Sequence, residues 1–284
     1  MKIYEDVQAF QQLGKSVVTL GTFDGVHIGH QRLLQELRAQ AQETESKAVV
    51  VTFWPHPRHV IAQKCSFHVR LLNTFEEKVA LLAQQGVDQL LKIPFTQTFA
   101  QLEAKNFIQQ VLVAQIGASR VIVGRAHHFG KDRKGNVTLL QEEGLKHGFT
   151  VTQVSSASIN NSPISSTKIR QLLLAGQVRE AAAHLGKPYA IECSVLQNHA
   201  THKGGLCITA TSPHKLIPAA GHYTVQVVYQ KTAYQGTLHI THKHTAPTMA
   251  LKLLHAPRAV GQGHSLSIQF KQKCPKDPQP RQQN

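Results

Sequence analysis

Five short apolar runs, rich in β-branched residues and separated by stretches of helical periodicity, constrain this fold more than any other feature of the chain. They cover residues 16–20, 48–53, 89–93, 120–123 and 150–154. The runs are continuous rather than alternating, as expected of parallel strands buried on both faces. Between the first two, residues 31–42 place Leu33, Leu34 and Leu37 on one helical face. Residues 74–85 open with Thr74-Phe75-Glu76-Glu77, a capping-box pattern whose acid is Glu77. Strand and helix in repetition predict an α/β fold: a doubly wound parallel sheet with its ligand crevice at the carboxyl ends of the strands.

The pattern changes after Gly186. A helix over 177–185 stops at that glycine, a suitable residue just past a helix end. Six strand-like segments follow, at 190–196, 205–211, 222–230, 233–240, 249–254 and 265–270. Tyr223, Val225, Val227 and Tyr229 alternate with polar residues, as do Leu266, Ile268 and Phe270. This predicts a small six-stranded β-barrel, closed or partly closed. The expected domains are therefore 1–186 and 187–272, with residues 273–284 a Pro/Gln/Lys-rich disordered tail.

The formal net charge of +15 points to anionic partners. The basic residues are spread along the chain, and no zinc-finger, homeodomain-arm or aromatic RNA-binding pattern accompanies them. Phosphate-rich small molecules are expected, and nucleic acid is not. The four cysteines, Cys65, Cys193, Cys207 and Cys274, form no Cys-x-x-Cys pair and read as reduced thiols. No stretch is long and apolar enough to cross a bilayer. Met1 to Asp6 carries no apolar signal core, so a cytoplasmic protein without membrane contact is expected. The sequence does not give an oligomeric state.

Three segments carry chemistry. Gly21-Thr22-Phe23-Asp24-Gly25-Val26-His27-Ile28-Gly29-His30 follows a predicted strand and opens a predicted helix. Glycines there let backbone N–H groups approach phosphate oxygens, and the helix N-terminus favours an anion. Two histidines separated by two residues can both donate to one phosphoryl group, stabilising the charge that develops during in-line displacement. In Ile164-Ser165-Ser166-Thr167-Lys168-Ile169-Arg170, three hydroxyl residues sit at a helix start and a cation follows one turn later. Alone this is an ordinary N-cap; beside the first motif it reads as a triphosphate site. Thr52-Phe53-Trp54-Pro55-His56-Pro57-Arg58 ends the second strand on the crevice side, where it is either a rigid loop exit or a stacking surface for a planar ligand. The run Thr241-His242-Lys243-His244-Thr245 lacks a third metal ligand and reads as a solvated strand end.

In this order the segments resemble the prokaryotic bifunctional riboflavin kinase/FMN adenylyltransferases, the FAD synthetases. The family patterns Gly-x-Phe-Asp-Gly-x-His-x-Gly-His, Thr-Phe-x-Pro-His-Pro and Ile-Ser-Ser-Thr-x-Ile-Arg match at Gly21–His30, Thr52–Pro57 and Ile164–Arg170. Glu77-Lys78-Val79-Ala80-Leu81-Leu82 resembles the family's Glu-Lys-x-x-Leu-Leu helix, and the likeness spans residues 15–189. It implies AMP transfer from ATP to FMN with Mg²⁺, giving FAD and pyrophosphate. His27, His30 and Arg170 would be catalytic. Gly21, Phe23, Asp24, Gly29, Ser165, Ser166 and Thr167 would bind ATP. Phe53, Pro55, His56, Pro57 and Phe129 would bind the flavin, and no residue is assigned as a metal ligand.

Two departures stand out. The family usually has Gly-x-Asp-(Phe/His)-x-Phe-Gly where this chain reads Gly124-Arg125-Ala126-His127-His128-Phe129-Gly130, so Ala126 replaces an acid or amide. The kinase's Pro-Thr-Ala-Asn segment is missing from residues 193–218, and its catalytic Glu would fall near Ala250. A methyl group cannot act as a base, so the second domain resembles a kinase barrel that has lost its chemistry. Two alternatives stay open: a non-catalytic flavin- or nucleotide-binding regulator, and an adenylyltransferase with another phosphate acceptor.

Overall fold

The computed structural model describes residues 1–61, 69–159, 162–196, 205–242, 247–255 and 260–274. They form two compact units. The first holds Met1–Val69 with Asn73–Ile164, and the second holds Arg70–Leu72 with Ser165–Asn284. The sequence drew the boundary at Gly186; by contacts it falls before Ser165, so the helices between these points group with the barrel. Cys65, most of the expected tail and part of the His-rich run lie outside the described residues.

The first unit is built on six parallel strands: β1 (Lys2–Tyr4), β2 (Ser16–Leu20), β3 (Lys47–Trp54), β4 (Gln89–Pro94), β5 (Ala118–Gly124) and β6 (Thr150–Val154). Their order in the sheet is β1-β4-β3-β2-β5-β6. Successive side chains on a strand point to opposite faces, and the two cores follow that rule. Val18, Leu20, Val49, Val51, Leu91, Ile93, Val121 and Val123 belong to one core. Val17, Ala48, Val50, Leu90 and Ile122 belong to the other. Helices α1 (Ile28–Glu43) and α3 (Phe75–Gln84) cover the second face, with α2 (Pro57–Ile61) between them in the chain. The first face is covered by α4 (Gln97–Ala100), α5 (Ala104–Phe107), a π-helical continuation (Ile108–Gln115) and α6 (Val137–His147). Thr74 caps α3 with both bonds of the capping box in place.

From β2 the chain runs outward through β3 and β4, then returns to place β5 on the other side of β2. This reversal makes the crevice beyond β2 and β5 the binding position of an open α/β sheet.

In the second unit, α7 (Ser166–Leu174) and α8 (Val178–Leu185) precede six antiparallel strands. Gly186 ends α8 with φ 73°, the left-handed conformation the sequence assigned to it. The strands are β9 (Ala190–Val195), β10 (Leu206–Ala210), β11 (Gly221–Tyr229), β12 (Thr232–His242), β13 (Pro247–Leu253) and β14 (Ser265–Lys273). They close into a barrel ordered β10-β13-β12-β11-β14-β9. Tyr223, Val225, Val227, Leu266, Ile268 and Phe270 fill its interior.

Candidate active site

The turn from β2 into α1 lies at the switch point of the sheet and is tightly built. Gly25 takes φ 91°, and Phe23 and Val26 take 47° and 40°. Positive φ is sterically costly for a β-branched residue, and such strain concentrates at functional sites. The Gly21 N–H donates to the Val51 carbonyl at 3.0 Å, and Gln31 Nε2 donates to the Val26 carbonyl at 2.9 Å. Asp24 is buried and accepts from the Asn73 N–H at 3.1 Å through Oδ1.

His27 is the N-cap of α1. Its Nδ1 accepts from the backbone N–H of His30 at 3.3 Å. That bond leaves the ring proton on Nε2. The two imidazoles stack with centroids 3.6 Å apart and planes 13° apart. His30 is held well below the usual imidazole pKa, first by burial and then by His27 and the Lys78 charge. It is therefore neutral at pH 7 and donates without carrying charge. Gly29 fits between the histidines for a steric reason: a Cβ there would stand 3.2 Å from His27 Cε1 and 3.3 Å from Nδ1.

Lys78 carries the positive charge of this site. The sequence did not single it out as functional. It lies on the inner face of α3, 2 % exposed, with Nζ 3.4 Å from Thr52 Oγ1 and 5.4 Å from the Trp54 ring centroid. Burial lowers its pKa to about 8, against the pull of Asp24. Its sequence signals are its place in the Glu-Lys-x-x-Leu-Leu pattern and its position four residues before the buried Leu82 on an amphipathic helix. Asn73, which fixes Asp24, carried no signal.

The flavin-binding candidates fall into two environments. Pro55 is exposed and Pro57 half-buried, while His56 is buried and accepts from the Arg58 N–H at 3.2 Å. Phe53 packs into an aromatic group with Phe95 (5.8 Å), Phe99 (5.9 Å) and Phe107 (6.5 Å). Phe129 is buried against Phe107 at 5.7 Å, and His127 stacks on it at 5.6 Å. In the second unit, Ser165 caps α7 by accepting from the Lys168 N–H at 3.2 Å. Ser166 is half-buried and Thr167 exposed at the helix start. Arg170 Nε donates to the Arg70 carbonyl at 2.9 Å.

A parallel sheet with a strained His-x-Gly-His turn at its switch point defines a nucleotidyltransferase of the HIGH type. The chain belongs to the FAD synthetase family, whose model matches residues 9–168. Among its relatives is a bifunctional riboflavin kinase/FMN adenylyltransferase of Buchnera aphidicola (Schizaphis graminum). That protein is 32% identical over 231 residues, 80% of this chain and 73% of its own length. The Escherichia coli K12 protein of the same name is 33% identical over 232 residues, 80% and 74% of the two chains. The one from Bacillus subtilis is 30% identical over 240 residues, 83% and 74%. The crystal structure of a macrolide-efflux protein from Streptococcus pneumoniae superposes with TM-score 0.84 at 25% identity, covering 96% of this chain and 90% of that one. Among the described residues, no helix is long and apolar enough to cross a membrane.

Proposed function

We propose that the chain transfers AMP from ATP to FMN, and that the barrel does not phosphorylate riboflavin. The observation that carries the transfer is the stacked His27–His30 pair at the helix N-terminus of the switch point. A phosphate oxygen of FMN attacks the α-phosphorus in line, the bond to the bridging oxygen of the β-phosphate breaks, and pyrophosphate leaves. Both partners bring their own charge and nucleophile, so the protein supplies position and electrostatic stabilisation. His27 Nε2–H and His30 donate to the oxygens of the α-phosphate. Lys78, Gly21, Phe23, Asp24 and Gly29 shape the nucleotide side. Ser165, Ser166, Thr167 and Arg170 are assigned to the leaving pyrophosphate, and Phe53, Pro55, His56, Pro57 and Phe129 to the flavin.

Magnesium fits this donor set as part of the nucleotide substrate. Asp24 is the one carboxylate of the turn and already accepts from Asn73. Among the described residues, no three His, Cys, Asp or Glu side chains come together as a metal site. Mg²⁺ commonly binds through substrate phosphates and retained waters.

A second reading, another phosphate-bearing acceptor, is favoured by Ala126, which offers no polar side-chain atom in the loop after β5. One experiment decides between them. Purified protein is incubated with Mg·ATP and FMN, and the products are separated by chromatography. FAD and pyrophosphate in equal amounts are expected. Absence of FAD would overturn the FMN reading.

A further inference from the structure

Three residues leave the first unit and return to it. Val69 belongs to the first unit, Arg70, Leu71 and Leu72 to the second, and Asn73 to the first again. Ordering so short an excursion costs chain entropy, and several bonds offset it. The Leu71 N–H donates to the His214 carbonyl at 2.7 Å, and the Leu71 carbonyl accepts from the Leu216 N–H at 2.8 Å. Leu72 is 1 % exposed within the core of the second unit. The Arg70 carbonyl accepts from Arg170 Nε, and Arg70 itself donates to the Pro213 carbonyl. Lys215 closes this clamp. It is buried, its Nζ donates to the Leu72 carbonyl at 2.8 Å, and the Tyr189 ring centroid lies 5.0 Å away. A buried amino group is costly unless it is hydrogen-bonded, so the lysine and that carbonyl hold each other in place.

The Leu72 carbonyl and the Asn73 N–H belong to one planar peptide group. Lys215 holds its oxygen, and its N–H donates to Asp24 Oδ1 at 3.1 Å. Asp24 is buried in the strained turn that carries His27. The Asn73 side chain donates from Nδ2 to Glu77 Oε2 at 3.2 Å, and Glu77 completes the capping box of α3, the helix of Lys78. A single rigid group therefore has the second unit's lysine on one end and the first unit's aspartate on the other. Turning that plane moves Asp24 and the start of α3 together.

We infer that Lys215 is a positioning residue for adenylyl transfer, and that the second unit serves the first by fixing the plane of the Leu72–Asn73 peptide. This rests on the reading of the Gly21–His30 turn as the transfer site. Lys215 touches no substrate in this scheme and acts through Asn73 and Asp24. The task depends on the architecture of the barrel unit and not on a kinase base.

The test uses the full chain and the variants Lys215→Met, Arg70→Ala and Val227→Ala. Lys215→Met removes the bond to Leu72. Arg70→Ala removes an exposed contact of the clamp and is the milder change. Val227→Ala loosens the barrel interior and touches none of the clamp's hydrogen bonds. Amide hydrogen exchange is read by mass spectrometry over residues 21–30 and 70–78, FAD formation by steady-state kinetics well below melting, and stability by thermal melting. Lys215→Met should speed exchange in both windows and lower kcat at least about tenfold, the scale of a small misplacement, with KM for FMN within about twofold of wild type. Arg70→Ala should move both readouts the same way by less. Val227→Ala should melt lower yet keep kcat and the exchange of both windows. Unchanged exchange over 21–30 in Lys215→Met, or in Arg70→Ala should the first variant not fold, would overturn the inference whatever the acceptor. Losses of kcat that follow melting temperature in all three variants would assign Lys215 to general stability and also overturn it. A wild-type protein that makes no FAD would remove the FMN reading alone, and exchange over 21–30 would still decide for or against Lys215.

Discussion

His27 accepts a hydrogen bond at Nδ1 from the backbone of His30, 3.3 Å away, while the two rings stack at 3.6 Å. One residue thus caps the helix that holds its partner, and the same bond fixes the tautomer with its proton on Nε2. Two roles reside in His27, and substitution can separate them. His27→Ala should lose the cap, at roughly 1 kcal/mol of stability, and lower kcat by about 10²–10³, the scale of one lost transition-state donor. His27→Asn should keep the cap, because Asn is a good N-cap residue, yet lose the transfer rate. His30→Ala should lower kcat similarly with a smaller effect on ATP affinity. Melting temperature and single-turnover FAD formation read the two roles apart. Near-normal turnover in both alanine variants would remove the histidines from the mechanism.

Gly29 gives a prediction in which stability and activity move in opposite directions. Gly→Ala near a helix start ordinarily stabilises by up to about 1 kcal/mol. Here the new methyl would stand 3.2 Å from the His27 ring and must displace it slightly. Gly29→Ala should therefore melt at or above the wild-type temperature while kcat falls at least about tenfold, since small misplacements of a catalytic group are costly. Unchanged kcat would show that the His27 ring needs no such fit.

The sheet was legible because its strands are short, apolar and bounded by turn residues, and the barrel because Tyr223 to Tyr229 alternate so regularly. Other elements carried weaker signals. β1 is three residues long, too short for a period. α6 contains Gly144, which reads as a breaker. Its small size is needed because a Cβ there would meet the Phe149 carbonyl oxygen at 2.5 Å. The segment Ile108–Gln115 winds as a π-helix and has no 3.6-residue period to detect. In the site, Gly21 to His30 was legible because the residue types themselves are the chemistry. Lys78 stood in the Glu-Lys-x-x-Leu-Leu pattern, but its buried charge was not legible, because burial depends on what the fold packs around it.

The Lys78 charge should be lost, and activity with it, as pH turns alkaline. Its pKa is about 8 in the native protein and 10.5 as the ordinary value. The native state holds this proton less firmly than the unfolded chain. The charge therefore opposes folding below pH 8, and that penalty fades as pH rises from about 8 toward 10.5. Lys78→Met removes the buried charge, so the variant should be at least as stable as wild type at pH 7 and lose that advantage above pH 8. If the cation faces the nucleotide phosphates, kcat/KM for ATP should fall in wild type as pH rises through about 8, because that ratio reports the free enzyme. The variant should be slower by about 10² or more and lack this limb. A wild-type profile flat from pH 7 to 9 would argue against a role for the Lys78 charge.

The barrel has kept its architecture but holds few groups able to move a proton from an alcohol. Residues 187–284 contain two carboxylic acids, Glu192 and Asp277. Asp277 lies outside the described residues, and Glu192 is half-buried on β9, opposite Ser267 of β14. Family resemblance places the kinase base near Ala250. In the barrel Ala250 pairs with His239 on β12 and Cys207 on β10, so neither cross-strand neighbour supplies a carboxylate. His239 is stacked on His222 with centroids 4.0 Å apart, and burial followed by the His222 charge lowers its pKa. Loss of a general base alone is worth about 10²–10⁴ in rate, and the missing Pro-Thr-Ala-Asn segment removes a nucleotide contact as well. Riboflavin with Mg·ATP should therefore yield no FMN, whereas FMN with Mg·ATP should yield FAD in the same preparation. Ala250→Glu alone should not restore phosphorylation, because the nucleotide contact would still be missing. Multiple turnovers of FMN formation, co-eluting with the chain on gel filtration and abolished by Glu192→Gln, would identify Glu192 as a displaced base and overturn the assignment.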